Sequence, residues 1–167
     1  MPFRPRLLIA LCIVSILSAA LWGAYDPIVG SWKLNIKDNN TNETRYSPGF
    51  PVPQSQLCTY EFAAPNGVRY TEDTVGPDGK KTHIEYTAQL DGKDYPVQGD
   101  PYHDSVALKR VKAHITEGTY KRSGEVTGTF TVILWGNGLL MTVESKETRD
   151  GKTYTNREVY NKLLPTP

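Results

Sequence analysis

The groups able to do chemistry in this chain are few and scattered. Three histidines, His83, His103 and His114, stand far apart, and Cys58 is the one cysteine beyond the N-terminal apolar segment. Zinc sites use close pairs such as His-x-x-x-His or a Cys partner, and no such spacing occurs, so no metal site is expected. His83 falls on a strand face expected to meet water. His103 and Asp104 fall in the loop 99–104, expected to be solvated. There is no Gly-x-Ser-x-Gly and no phosphate-binding loop. General acid–base work needs converging groups, yet the acidic residues are spread over turns and outward positions. Glu72 and Asp73 are adjacent, so in an extended strand only one of them can face inward. A catalytic role and a bound cofactor are therefore not expected. Cys58 reads as a small buried apolar residue, with no cation nearby in sequence to activate its thiol.

The richer signal is aromatic. Ten tyrosines recur through strand-like runs. Tyrosine has an apolar body and a hydrogen-bonding tip, which suits a wall that holds a small amphipathic molecule. Alternation within each run gives the inward face. It places Tyr60 and Phe62 beside Cys58, then Tyr70 beside Val68, Tyr86 between Ile84 and Ala88, Phe130 after Val126, and Met141 beside Val143. Tyr95 shares a face with Val97 and is expected near a rim, with Tyr102 in the next turn. The candidate ligand contacts are thus Tyr60, Phe62, Tyr70, Tyr86, Tyr95, Phe130 and Met141.

The elements that position these residues are strands. The first runs from Gly30, with Trp32, Leu34 and Ile36 on one face and Lys33 and Asn35 on the other. A large indole at the first inward position is expected to plug one end of a barrel. Turn signals then punctuate the chain at 65–67, 77–79, 91–92, 123–124, 136–138 and 150–151, where Asn-Gly, Asp-Gly and related pairs supply positive φ. No window between them has helical periodicity. Short links between successive strands make antiparallel neighbours, and a long meander closes on itself to remove its edges. The expectation is an all-β, antiparallel up-and-down barrel of about eight to ten strands. The stretch 37–56 holds Pro48, Pro51 and Pro53, which forbid a helix, and reads as a long loop across the open end. Gly118 breaks the pattern of its strand and is expected to mark a bulge.

Four stretches carry a family resemblance. They are G-S-W-K-L-N at 30–35, S-P-G-F-P-V-P-Q-S at 47–55, D-G-K-D-Y-P-V-Q-G at 91–99 and V-A-L-K-R at 106–110. With them the chain resembles small secreted bacterial lipocalin-like proteins of the calycin superfamily, a group without an assigned role. The resemblance implies a calycin barrel with a ligand in its interior. It gives Gly30 and Trp32 a structural role at the first strand, and it implies that Arg157 packs over the Trp32 ring. The Arg-x-Tyr carboxylate clamp of fatty-acid-binding proteins is not reproduced, because Glu158 stands two residues before Tyr160.

Composition sets the compartment. Arg4 and Arg6 precede an apolar run at 7–17 and the small residues Ser18, Ala19 and Ala20, the pattern of an export signal. Residues 1–20 are read as a signal peptide and 21–167 as one barrel domain, secreted or periplasmic. A cut after Ala24 and an uncleaved anchor are the lesser readings. The net charge is +1, which provides no field for nucleic acid, and no stable membrane insertion of the mature domain is expected. The oligomeric state is left open. Two functions compete: carriage of a small hydrophobic or amphipathic ligand, or a filled barrel acting as an interaction or envelope structural module. A continuous interior space above roughly 300 Å³ separates them. Intact-mass measurement of the exported protein should give a chain beginning at Leu21, and a mass retaining residues 1–20 would overturn the signal-peptide reading.

Overall fold

The computed structural model describes residues 26–36 and 44–164. The proposed leader and its cleavage positions lie outside these residues. The chain forms ten strands: β1 Gly30–Leu34, β2 Ser55–Ala63, β3 Gly67–Val75, β4 Lys81–Gln89, β5 Asp91–Gln98, β6 Ser105–Lys112, β7 Ile115–Arg122, β8 Glu125–Trp135, β9 Leu140–Arg149 and β10 Lys152–Lys162. Each pairs with its sequence neighbours, and β10 returns to β1, so the sheet closes as an antiparallel meander barrel. The tight links behave as their residues require. Asp150 and Gly151 both adopt positive φ, 49° and 74°, the twist that a two-residue hairpin needs.

Closure depends on a short seam. β1 pairs with β10 only through Trp32↔Lys162, Lys33↔Asn161 and Leu34↔Tyr160. Further along β10 the segment 44–47 takes up the pairing that β1 abandons. Arg45 and Arg157 exchange backbone hydrogen bonds of 2.6 and 2.8 Å, and the Ser47 amide donates to Asn156 Oδ1 at 3.0 Å. The chain then crosses the open end, and the Gln54 amide reaches the Val75 carbonyl of β3 at 2.8 Å. The described part of the proline-rich loop therefore lies where its composition predicts.

The other end is plugged. Trp32 is fully buried, and its indole N–H donates to the Ile28 carbonyl at 2.8 Å. The segment 26–29 is folded beneath it by an Asp26–Arg110 ion pair of 2.5 Å. The cation over the Trp32 ring is Lys162, with Nζ 5.1 Å from the centroid and donating to the Pro27 carbonyl. This corrects the role expected for Arg157. Lys162 is in register with Trp32, whereas Arg157 lies five residues higher and pairs with Glu144 at 2.9 Å on the outer face. Gly30 has φ of 131°, and a Cβ there would sit 2.8 Å from Lys162 Cε.

Two inward assignments and one expected bulge are also corrected. Phe62 is 39% exposed and Val126 60% exposed. Phe62 faces inward but lies at the end of β2, whereas the bulge at Tyr120/Lys121 pairs Val126 with Lys121 and turns it to the outer face. Gly118 is not at a bulge. It pairs regularly with Leu108 and Phe130, and the irregularities fall at Asp91/Asp94, Arg110/Lys112 and Tyr120/Lys121. Glycine is needed because a Cβ would meet the Phe130 ring at 2.0 Å. Truncating Trp32→Ala should lower unfolding free energy by about 3–5 kcal/mol. Arg157→Ala, removing a surface ion pair, should cost under about 1 kcal/mol. Urea unfolding of the two variants checks the order, and a larger loss at Arg157 would restore it as the partner of Trp32.

Candidate functional site

Period-two alternation sends one side chain in two from every strand into the barrel, and the interior is divided by what those side chains are. Toward the plug they are apolar, with Trp32, Val68, Ala88, Leu108, Val132 and Leu134 buried. Toward the mouth they turn polar around a cavity of about 110 Å³. Two aromatic arrays form opposite walls, since β3 and β8 are diametrically placed in a ten-strand cycle. On one wall Tyr70 lies 4.8 Å from Tyr60 and stacks on Tyr86 at 4.8 Å. On the other, Phe130 contacts Tyr120 at 4.7 Å, and Tyr120 stacks on His103 at 4.4 Å.

Five of the seven candidate contacts come together here. Tyr60, Tyr70, Tyr86, Phe130 and Met141 all line the cavity, whereas Phe62 and Tyr95 do not. Tyr95 is half-buried against the edge of the core and donates its hydroxyl to Asp91 Oδ2 at 3.1 Å. It is in register with the inward Val106 of β6 but lies beyond the lining of the cavity. Tyr102 does reach the rim. The Arg149 guanidinium is held 4.8 Å from the centroids of both Phe50 and Tyr102, and its Nε donates to Glu147 Oε2 at 2.7 Å. Phe50 from the crossing loop and Tyr102 from the β5–β6 loop thereby close the mouth around one cation.

The polar groups inside were the part that sequence reasoning missed. Glu72 faces in and Asp73 out. Tyr70 donates to Glu72 Oε2 at 2.6 Å, and Thr74 to its Oε1 at 3.0 Å. Glu158 receives Tyr46 at 3.0 Å and Tyr160 at 2.9 Å. Burial, and after it the charge of Glu72, push the Glu158 carboxyl up to about 7, against the lowering effect of its two tyrosine hydrogen bonds. Burial also raises the tyrosine hydroxyls of the walls, which keeps them protonated as donors. The Cys58 thiol is raised too, by burial first and then by Glu72, so it is an inert wall atom beside Tyr70.

His103 is not the solvated loop residue that its sequence position suggests. Its side chain is 2% exposed and lines the cavity. Asp100 captures it: Oδ1 accepts the backbone N–H groups of Tyr102 and His103 at 2.7 and 3.2 Å, and Oδ2 lies 2.7 Å from His103 Nδ1. Burial works to raise Asp100, but the bonds to His103 and the two amides outweigh it and hold the carboxyl below its usual value. An ionised Asp100 accepts from Nδ1–H and fixes the ring, which leaves Nε2 facing the cavity. Nε2 has no hydrogen-bond partner, and the nearest carboxylate oxygen, Glu147 Oε2, is 4.0 Å away. An Asp-x-x-His turn has no periodicity to announce it. Glu72 and Glu158 did have a signal, the inward parity they share with Tyr70 and Tyr160.

No family model matches the chain, and no curated protein matches it. Among solved structures it is similar to the siderocalin Ex-FABP, described as functioning through dual ligand specificities. That likeness is at 11% identity and a TM-score of 0.34, over 84% of this chain and 78% of the other. At that score the barrel's own hydrogen bonding, and not the neighbour, establishes the fold. It is a closed antiparallel meander of the kind the sequence resemblance implied.

Glu158 also sets a pH dependence. A carboxyl raised in the fold holds its proton where the unfolded chain has released it, so stability falls as pH rises from the unfolded value, about 4.3, through about 7. Glu158→Gln cannot ionise. Its stability relative to wild type should rise by about 1–3 kcal/mol between pH 5 and pH 8. Thermal melts at the two pH values test this, and parallel pH profiles for the two proteins would show that the carboxyl is not held neutral.

Proposed function

We propose that the protein is an exported lipocalin-like barrel that binds a small amphipathic molecule inside its mouth-side cavity. Binding, not catalysis, is its work. The observation that carries this reading is the cavity itself: side chains do not fill the interior, and the space left is walled by tyrosine faces with hydroxyl, carboxyl and imidazole groups converging on it. A barrel used only as a rigid module has no need of enclosed polar groups, which cost free energy unless they are satisfied.

Size narrows the ligand. At about 110 Å³ the space falls short of the roughly 300 Å³ set from the sequence as the mark of a carrier, which leaves room only for a guest smaller than a drug-sized or fatty ligand. A cavity of about 150 Å³ holds a molecule the size of benzene, so the occupant here has about four to six heavy atoms. Of the hydrophobic or amphipathic guests considered from sequence, the amphipathic one fits, because carboxyl, imidazole and hydroxyl groups line the space. The mouth is closed by the Phe50–Arg149–Tyr102 stack, so exchange of the guest requires that stack to part.

Saturation-transfer NMR with a set of fragments of up to seven heavy atoms should give several binders of the purified protein. Ser145→Phe, which fills the cavity from β9, should abolish them while the protein stays folded by circular dichroism. No binder among the fragments, or binding that survives Ser145→Phe, counts against an interior site.

A further inference from the structure

The charges inside the barrel do not balance among the described residues. Four acidic side chains line the cavity, Glu72, Asp100, Glu147 and Glu158, against Arg149 and His103. Arg149 is committed to Glu147 at 2.7 Å, and His103 to Asp100 at 2.7 Å. Glu72 and Glu158 are met only by neutral hydroxyls, those of Tyr70, Thr74, Tyr46 and Tyr160. Hydroxyl donors satisfy lone pairs but supply no counter-charge, and an enclosed carboxylate without one is expensive.

A second group waits in the same cavity. His103 Nε2 is buried and unpartnered, and its ring is held by Asp100 on the other side. Such a nitrogen hydrogen-bonds a polar group of whatever occupies the space. Between these two polar poles stand the tyrosine faces, which attract a cation through their quadrupoles. We propose that the cavity selects a small organic cation of the hydroxyalkyl-ammonium class, its ammonium against Glu72 and Glu158 and its hydroxyl on His103 Nε2. This rests on the reading of the cavity as a ligand site and adds the chemistry of the guest.

Other charge classes fit less well. An anion finds Arg149 already paired with Glu147, and the other basic side chain, His103, held by Asp100. Among the described residues no group of three or more His, Cys, Asp or Glu side chains is arranged to hold a metal ion. A neutral alcohol satisfies His103 but leaves the two carboxyls uncompensated. Protonation of Glu158 is the cation's competitor, since burial and the facing Glu72 and Glu147 already favour the neutral acid there, with Tyr46 and Tyr160 as its hydrogen-bond donors. An arriving ammonium displaces that proton, so its affinity increases as pH rises from 6 to 8.

The test compares four probes of matched size on the purified protein by calorimetry and saturation-transfer NMR: ethanolamine, propylamine, propan-1-ol and acetate. Ethanolamine should bind at least tenfold more tightly than propan-1-ol, ahead of propylamine, with acetate silent. Glu158→Gln and Glu72→Gln, each checked for an intact thermal transition, should weaken ethanolamine at least tenfold. Equal binding of propan-1-ol and ethanolamine overturns the cation preference and leaves the cavity as a ligand site. Ethanolamine binding that both glutamine variants leave unchanged overturns it too. Silence from all four probes, together with silence from the wider fragment set, ends both readings.

Discussion

The barrel depends on a seam three residue pairs long. Ten consecutive hairpin-linked strands form a sheet readily, because each contact is local in sequence. Closing that sheet is different, since β1 must find β10 across almost the whole described chain. Trp32 makes the closure worthwhile. Its indole buries a large apolar surface on the inner side of the seam, and its N–H fixes Ile28 beneath it. Lys162, its partner in register, covers the ring and ties down Pro27. Plug and seam are therefore one structure, and neither forms without the other.

Where β1 stops, the second half of the seam is made by residues 44–47, and this has a functional side. The segment 44–50 brings Tyr46 to Glu158 and Phe50 to the mouth. A continuous first strand would have closed the barrel more regularly, but without those two side chains. Tyr46 stacks on Phe50 at 5.1 Å, and Phe50 meets Tyr154 edge-on at 5.4 Å. The same loop thus completes the wall, supplies a donor to an inward-facing carboxyl and roofs the cavity. Loops commonly carry function on a rigid scaffold, and here the scaffold's own edge has become the loop.

Much of this was legible in the residues. Alternation and turn chemistry are local properties, so the strands, the meander and the plug could be read directly from Trp32, from the Asn-Gly and Asp-Gly pairs and from the tyrosine parity. Parity fails at strand ends. Phe62 has the inward phase but no opposite wall. It fails too where register slips, as at Val126. Arg157 was misplaced because matching a basic residue to an indole needs the β1–β10 register, which is non-local. His103 was misread for another reason: its burial comes from an Asp100 turn folding back into the barrel, and loops offer no period to betray this. The inward phase of Glu72 and Glu158 was visible, but two acids on distant strands become a pair only once the sheet has closed.

The smallest residue in the wall has a large effect on this interior. At Gly118 the Phe130 ring lies flat against bare backbone, in the volume that a methyl group would otherwise occupy. Any side chain there would swing the aromatic toward the opposite wall, into the room left for a guest. Free space inside a closed barrel is usually credited to the residues that line it. Here it is owed to a missing atom on the strand behind, so the dimensions of the chamber can be retuned from a position that no occupant would ever touch.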